Sequence, residues 1–207
     1  MFGIQHYETF LLAGILLNLT PGNDTIYILS RTIAQGRKAG IMSVLGIATG
    51  SLVHTFFAAA GLSVIIAKSP ALFNIIKYAG AAYLFYIGVR MILSKSSIIK
   101  LDQPEDEKYK KIYWQAVLTN VLNPKVALFF ISFLPQFIDP TYANHYLSFI
   151  VLGVSFTITG TLWCLVLALF ASIISMALIK NKNAGSYLTK ACGFILVGLG
   201  IRVALTK

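Results

Sequence analysis

The chain has 207 residues, of which 57% are hydrophobic and 12% charged, and its mean hydropathy is +0.77. A soluble globule carries about a quarter of its residues charged, so half that fraction excludes a water-facing surface over most of the molecule. The formal charge of +10 does not make a nucleic-acid footprint, which needs Lys and Arg clustered on one exposed face. Here the basic residues stand between long apolar runs, as in membrane proteins with basic cytoplasmic loops.

A bilayer-spanning helix needs roughly 20 mostly apolar residues. In chain order the candidates are about 9–30, 40–67, 70–93, 112–138, 146–177 and 186–206. No Lys or Arg precedes the first run and no clear A-x-A site follows it, so it does not read as a cleaved signal peptide. Segments two and five carry no formal charge. Segment three carries Lys77 in its second turn, from where the stem can snorkel to the interface. Segment six is the weakest, because Lys190 and Arg202 bracket only eleven uncharged residues; five spans is the alternative. Cys164 and Cys192 fall inside apolar segments and read as buried free thiols.

The longest polar stretch, Ser94 to Lys111, reads SKSSIIKLDQPEDEKYKK and forms a solvated connector. It divides one transmembrane domain, 1–207, into a first repeat of about 1–93 and a second of about 112–207, with the connector at 94–111. Ten basic residues lie in the connections after segments one, three and five: Arg31, Arg37, Lys38, Lys95, Lys100, Lys108, Lys110, Lys111, Lys180 and Lys182. The other side holds Lys68 and Lys207. By the positive-inside rule the first set is cytoplasmic and both termini are outside.

A shift of 103 positions puts Pro21 on Pro124, Thr20 on Asn123 and Gly50 on Gly153. Three spans per half is an odd number, so the second half enters the membrane inverted relative to the first. Inverted repeats with helices broken near the midplane recur in transporters. The expected fold is therefore an all-α integral membrane protein of six helices, in two inverted three-helix repeats whose first helices break at proline. Pro suits the first position of a helix, and Thr and Asn are good N-caps. Thr20-Pro21 and Asn123-Pro124 thus read as helices restarting halfway across the membrane, with Gly22 loosening the first. Their N-termini converge near the centre and favour an anion such as a carboxylate. Ordinary proline kinks are the plainer alternative.

Asp24 and Lys125 are the charges nearest the middle of otherwise apolar spans. Each costs at least ~2.5–3.5 kcal/mol there, which marks it as functional by default. Thr20, Asp24, Tyr27 and Arg31 share one stripe of segment one, and Lys125, Ser132 and Gln136 another of segment four; the two stripes are expected to face each other. Asp24 either titrates during transport or binds a substrate ammonium, with Lys125 balancing it. A structural Asp24–Lys125 pair locking the halves together is the alternative. His54 lies beside Ser43, Gly46, Gly50 and Gly61, a small-residue face suited to close helix contact, and reads first as a packing residue. His6 and His145 lie near segment ends. Nothing in the sequence spaces ligands for a metal or haem, and no cofactor or enzyme chemistry is expected.

The strings NLTPGNDTIYILSRTIAQGRKAG, GIATGSLVH, AGAAYLFYIG and NVLNPKVALFFISFLPQF resemble, in the same order and spacing, the LysE/RhtB family of bacterial amino-acid exporters. The resemblance implies multi-pass residence in the bacterial cytoplasmic membrane and export of amino acids or close derivatives, coupled to protons. Members differ in substrate, from lysine and arginine to homoserine, threonine and leucine. The family's Pro-Gly-x-Asp signature maps onto Pro21, Gly22 and Asp24, and Asn-Pro-Lys onto Asn123, Pro124 and Lys125; Asn120 lies in the same string. Many members have a second proline where this chain has Asn23, which here stands ready to cap the restarted helix. The expected partners are an amino acid, protons and the lipid bilayer, with no nucleic acid; a homo-oligomer stays open. The reading is a secondary exporter working by alternating access, with a channel or scaffolding subunit as the alternative.

Overall fold

The structure, a computed structural model, describes residues 2–64, 70–93, 106–171, 173 and 182–205. The readings of Lys68, Lys95, Lys100, Lys180 and Lys207 lie outside these residues, as do those of the side chains of Lys77, Lys182, Cys192 and Arg202. Among the described residues every regular element is helical: α1 (Tyr7–Leu19), α2 (Asn23–Phe57), α3 (Pro70–Leu93), α4 (Tyr109–Val121), α5 (Pro124–Ser132), α6 (His145–Leu169) and α7 (Lys182–Leu205). A π turn, Ala58–Leu62, extends α2, and a 3-10 turn, Leu134–Phe137, extends α5. An antiparallel bridge, Ile4–Ile138, ties the N-terminal segment to the loop before α6.

By length and composition Asn23–Leu62 and His145–Leu169 can cross a membrane. The pair Tyr109–Val121 and Pro124–Phe137, bent by 49°, makes a third if it is one broken span. On α6 the buried Phe149, Leu152, Phe156 and Leu167 face the core, while Ile158 (55% exposed) and Leu162 (60% exposed) face outward. A helix apolar on both faces belongs in a core or in lipid, and the outward face here meets no protein.

α2 is not one rod. Gly36 has φ 81° and ψ −179° within it, a left-handed region that glycine enters without the steric cost of a Cβ. The consequence shows at Gly40, where a Cβ would press on the Thr32 side chain. Residues eight apart on a straight helix lie about 12 Å apart, so the chain folds back at Gly36. Ile28 and Leu29 accordingly share a core with Val44 and Ile47. The expected loop between segments one and two is thus reduced to one glycine, because helical hydrogen bonding continues up to it from both sides.

Small residues set the closest contacts. A Cβ on Gly46 would overlap the Tyr113 carbonyl and the Ala116 side chain of α4. One on Gly88 of α3 would come within 2.6 Å of the Gly193 carbonyl of α7, and one on Gly200 within 2.9 Å of the Ala81 carbonyl. Helices in lipid gain their association from such close packing rather than from hydrophobic exclusion. A second core is aromatic: Phe129 stacks near Phe133 and Phe156, each at 4.8 Å between centroids, and the Phe137 ring meets Phe10 edge-on at 5.4 Å.

Candidate functional site

The two proline breaks differ in construction. At the second, Asn123 is the N-cap of α5: its side-chain oxygen accepts from the Lys125 amide at 3.0 Å, and Pro124 takes the first helical position. That is the expected arrangement. At the first break Thr20 is not an N-cap. Its amide donates to the Leu16 and Leu17 carbonyls and its hydroxyl to Leu16 at 2.9 Å, so it closes the C-terminus of α1. Pro21 then interrupts the chain, Gly22 is the residue before α2, and Asn23 is its first residue without a side-chain cap bond. The reason is competition: a threonine hydroxyl reaches back to the i−4 carbonyl as readily as forward to a free amide. Gly22 has φ −157°, extended backbone open to any residue. A Cβ there would make only ordinary contact, 3.4 Å from the Lys125 ammonium.

The breaks bring the two central charges to one place. Lys125 Nζ donates to the Leu17 and Thr20 carbonyls, both at 3.0 Å. These lie at the C-terminal end of α1, Leu17 in its last turn and Thr20 at its C-cap, where the helix dipole favours a cation. Asp24 sits in the first turn of α2, the end that favours an anion. Its Oδ2 accepts from Asn120 Nδ2 at 2.9 Å. The Asn120 carbonyl in turn accepts from His54 Nε2 at 3.2 Å; a carbonyl cannot donate, so the imidazole proton is on Nε2 in that bond. His54 also stacks on Phe130 at 5.6 Å. It therefore holds Asn120 in place, a packing role with a direct line to the site.

Gly22, Asp24, Asn120 and Lys125 line one cavity together with residues not singled out in the sequence, among them Asn18, Ser51, Thr157 and Trp163. Its volume is about 40 Å³, enough to hold water. Ser51 and Thr157 satisfy each other at 2.9 Å. Buried atoms without a hydrogen-bond partner remain on four lining residues: Asp24 Oδ1, Asn120 Oδ1, Asn18 Nδ2 and Trp163 Nε1. Buried polar groups are nearly always paired, and each exception needs an explanation. Asn18 lies within the first recognised string, but Trp163 stands alone in an apolar segment, with no local signal that it lines the cavity.

The expected facing of two polar stripes is not what the structure holds. Tyr27 turns its hydroxyl to the Ile112 carbonyl at 2.9 Å. Arg31 donates to Gln35, Gln115 and Glu107, and Gln35 donates to the Glu107 carbonyl. These groups form a separate cluster at the connector end, where Lys111 also pairs with Glu107 at 2.8 Å. The Lys111 bond, reinforced by the Arg31 charge, holds the Glu107 carboxyl below the usual carboxylate range. On α5, Ser132 is buried, and Gln136 donates back to its carbonyl, away from the cavity. Asp24, Tyr27 and Arg31 lie on one unbroken stretch of α2; they part because successive turns meet different levels of α4, Asn120 near its end and Ile112 and Gln115 nearer its start.

An all-helical chain with outward apolar faces, in which interrupted helices bring opposite charges to one buried cavity, has the build of a membrane translocator. The chain belongs to the LysE type translocator family, whose model matches residues 15–207. It is 37% identical over 200 residues to a Bacillus subtilis membrane protein named uncharacterized membrane protein YrhP, covering 92% of this chain and 94% of that protein. It is 29% identical over 204 residues to a leucine efflux protein of Salmonella choleraesuis, covering 98% and 96%. A leucine efflux protein of Klebsiella pneumoniae is 29% identical over 206 residues, with the same coverage. No solved structure matches.

Proposed function

We propose that the chain exports amino acids or close derivatives across the bacterial cytoplasmic membrane, as a proton-coupled secondary transporter working by alternating access. The observation that carries this reading is the cavity at the two breaks, with Asp24 and Lys125 on its wall. Both charges of an amino acid find a complement there. The family membership and the efflux names of two relatives point the same way.

In this reading six crossings form two inverted repeats on either side of the connector. The fold-back at Gly36 supports it, because it turns 23–57 into the end of one crossing and the start of the next. Two further contacts agree with cytoplasmic odd loops and external termini. The Arg31 region meets Glu107 of the connector. At the other end Gln5 donates to Phe137 and Asp139 to Gly3, both backbone bonds at 2.8 Å. Alternating access requires the halves to part on one face of this cavity at a time. Asp24, with one oxygen bonded to Asn120, is the group assigned to the proton.

Counterflow of labelled amino acids in proteoliposomes tests this. Saturable exchange that disappears in Asp24→Asn, and depends on an acid interior in the parent chain, is the expected result. Unsaturable flux, or full activity in both Asp24→Asn and Lys125→Met, sinks the proposed site.

A further inference from the structure

From the cavity toward the connector, α2 and α4 run antiparallel and meet turn by turn. At the cavity Asp24 accepts from Asn120. One turn on, Tyr27 donates to the Ile112 carbonyl, beside the Gln115 side chain. A further turn on, Arg31 donates to Gln115 at 2.8 Å and to Glu107 at 3.1 Å, and Gln35 ends the row on the Glu107 carbonyl. Seven residues of helix span about 10 Å, so the Arg31–Glu107 pair stands that far from Asp24, on the connector side. α2 begins in the first half of the chain and α4 lies in the second, so this seam joins the two halves. Arg31 is 6% exposed. A buried ion pair adds little net stability, because desolvation offsets its attraction, and its best-attested use is to set a register or a switch.

Each member of this pair also has a partner on its own side of the seam. Arg31 donates to Gln35, four residues on, at 3.1 Å. Glu107 holds Lys111, four residues on, at 2.8 Å. Separating α2 from α4 therefore leaves neither charge bare, which lowers the cost of opening. The far end of α1 is closed by different chemistry: Gln5 bonds to Phe137 and Asp139 to Gly3 through backbone groups, beside the Phe10, Phe133 and Phe137 rings. We infer that Arg31 and Glu107 form the gate on the connector side of the cavity, a latch that parts along the α2–α4 seam and recloses. The inference rests on the alternating-access reading and assigns the residues that close one of its two faces.

Cys164 is a native reporter, because its buried thiol lines the cavity. Cys192→Ser leaves it as the one cysteine of the chain. The full chain is labelled with a membrane-impermeant methanethiosulfonate in membrane vesicles of both orientations. An antibody to an epitope placed within 94–111 identifies the face that carries the connector. Glu107→Gln and Arg31→Gln each remove the ion pair and are expected to speed labelling about tenfold, from the connector face only. The double variant should label no faster than either single one, because the same bond is lost. Lys111→Gln removes a bond to Glu107 that does not cross the seam, and should leave the rate unchanged. A general loosening of the fold would instead speed labelling from both faces.

Labelling unchanged in both Glu107→Gln and Arg31→Gln, or raised as much by Lys111→Gln, overturns the gate while leaving amino-acid export standing. A rise from the face opposite the connector overturns it as well. Gated labelling in a chain that shows no saturable amino-acid counterflow overturns the export reading and leaves the gate in place.

Discussion

Asn120 Nδ2 stands 2.9 Å from Asp24 Oδ2, and that bond joins the end of α4, in the second half of the chain, to the start of α2 in the first. With the Lys125 bonds to the Leu17 and Thr20 carbonyls it links the two broken helices directly. Substituting Asn120→Leu removes it and leaves a buried carboxylate with neither oxygen bonded. The expected cost is about 1–3 kcal/mol or more, read as a lower melting temperature in detergent. Transport should fall together with stability. Asn120→Asp should be worse, because it sets two carboxylates against each other.

Lys125→Met tests the second charge. The Leu17 and Thr20 carbonyls lose their shared donor, and the charge opposing Asp24 is gone. Counterflow is expected to drop at least tenfold. Lys125→Arg should recover part of it, because a guanidinium keeps the charge but spreads its donors in a planar fork. Full activity in Lys125→Met would remove the lysine from the transport mechanism.

Gly36 gives a clean test of the fold-back. Its φ of 81° disfavours any residue with a Cβ, yet nothing lies within 4 Å of where that Cβ would be. Gly36→Ala should therefore destabilise by about 1–2 kcal/mol through backbone conformation alone. Gly36→Asn should cost about as much, since Asn tolerates the αL region but not a positive φ with ψ at −179°. Thermal melts of both variants against the parent decide it.

Packing at Gly46 has a different origin. Gly46→Val places atoms on the Tyr113 carbonyl, a backbone group that cannot rotate away. A loss of about 1–3 kcal/mol is expected from overpacking. Gly61→Ala, in open space, serves as the control and should melt within about 0.5 kcal/mol of the parent.

The connector cluster predicts a pH effect outside the membrane. Bonding to Lys111 and the Arg31 charge depress the Glu107 carboxyl in the folded chain. A depressed carboxylate contributes stability above its unfolded pKa and loses it as pH falls through the folded one. The melting temperature should thus decline as pH drops through and below the ordinary carboxylate range. Glu107→Gln should lower the neutral-pH melting temperature and flatten that decline. Asp139, held low by the hydroxyl and amide of Thr141, contributes a decline of the same sign, so the flattening will be partial.

Much of the site was legible in the residues. Asp24 and Lys125 stood out because formal charge within apolar runs is costly, and Asn123 because proline at N1 makes its cap predictable. The role of Thr20 was not legible: a hydroxyl before a proline serves the helix behind it or the one ahead, and only the backbone path decides. Tyr27 and Arg31 share a helical stripe with Asp24, yet they serve the connector cluster, because their partners Glu107 and Gln115 lie more than seventy residues away.

By itself the sequence determined an apolar helical chain with two proline interruptions and a charge beside each. Composition and periodicity act locally, and they are enough to fix helices and to mark an expensive charge. Tertiary structure alone decided that Lys125 rests on the end of α1, that Asn120 holds Asp24, and that Asn18 and Trp163 join them at one cavity. Those contacts depend on a fold-back at one glycine and on how closely small residues let helices approach. They are distances between chain segments, and no local pattern carries them.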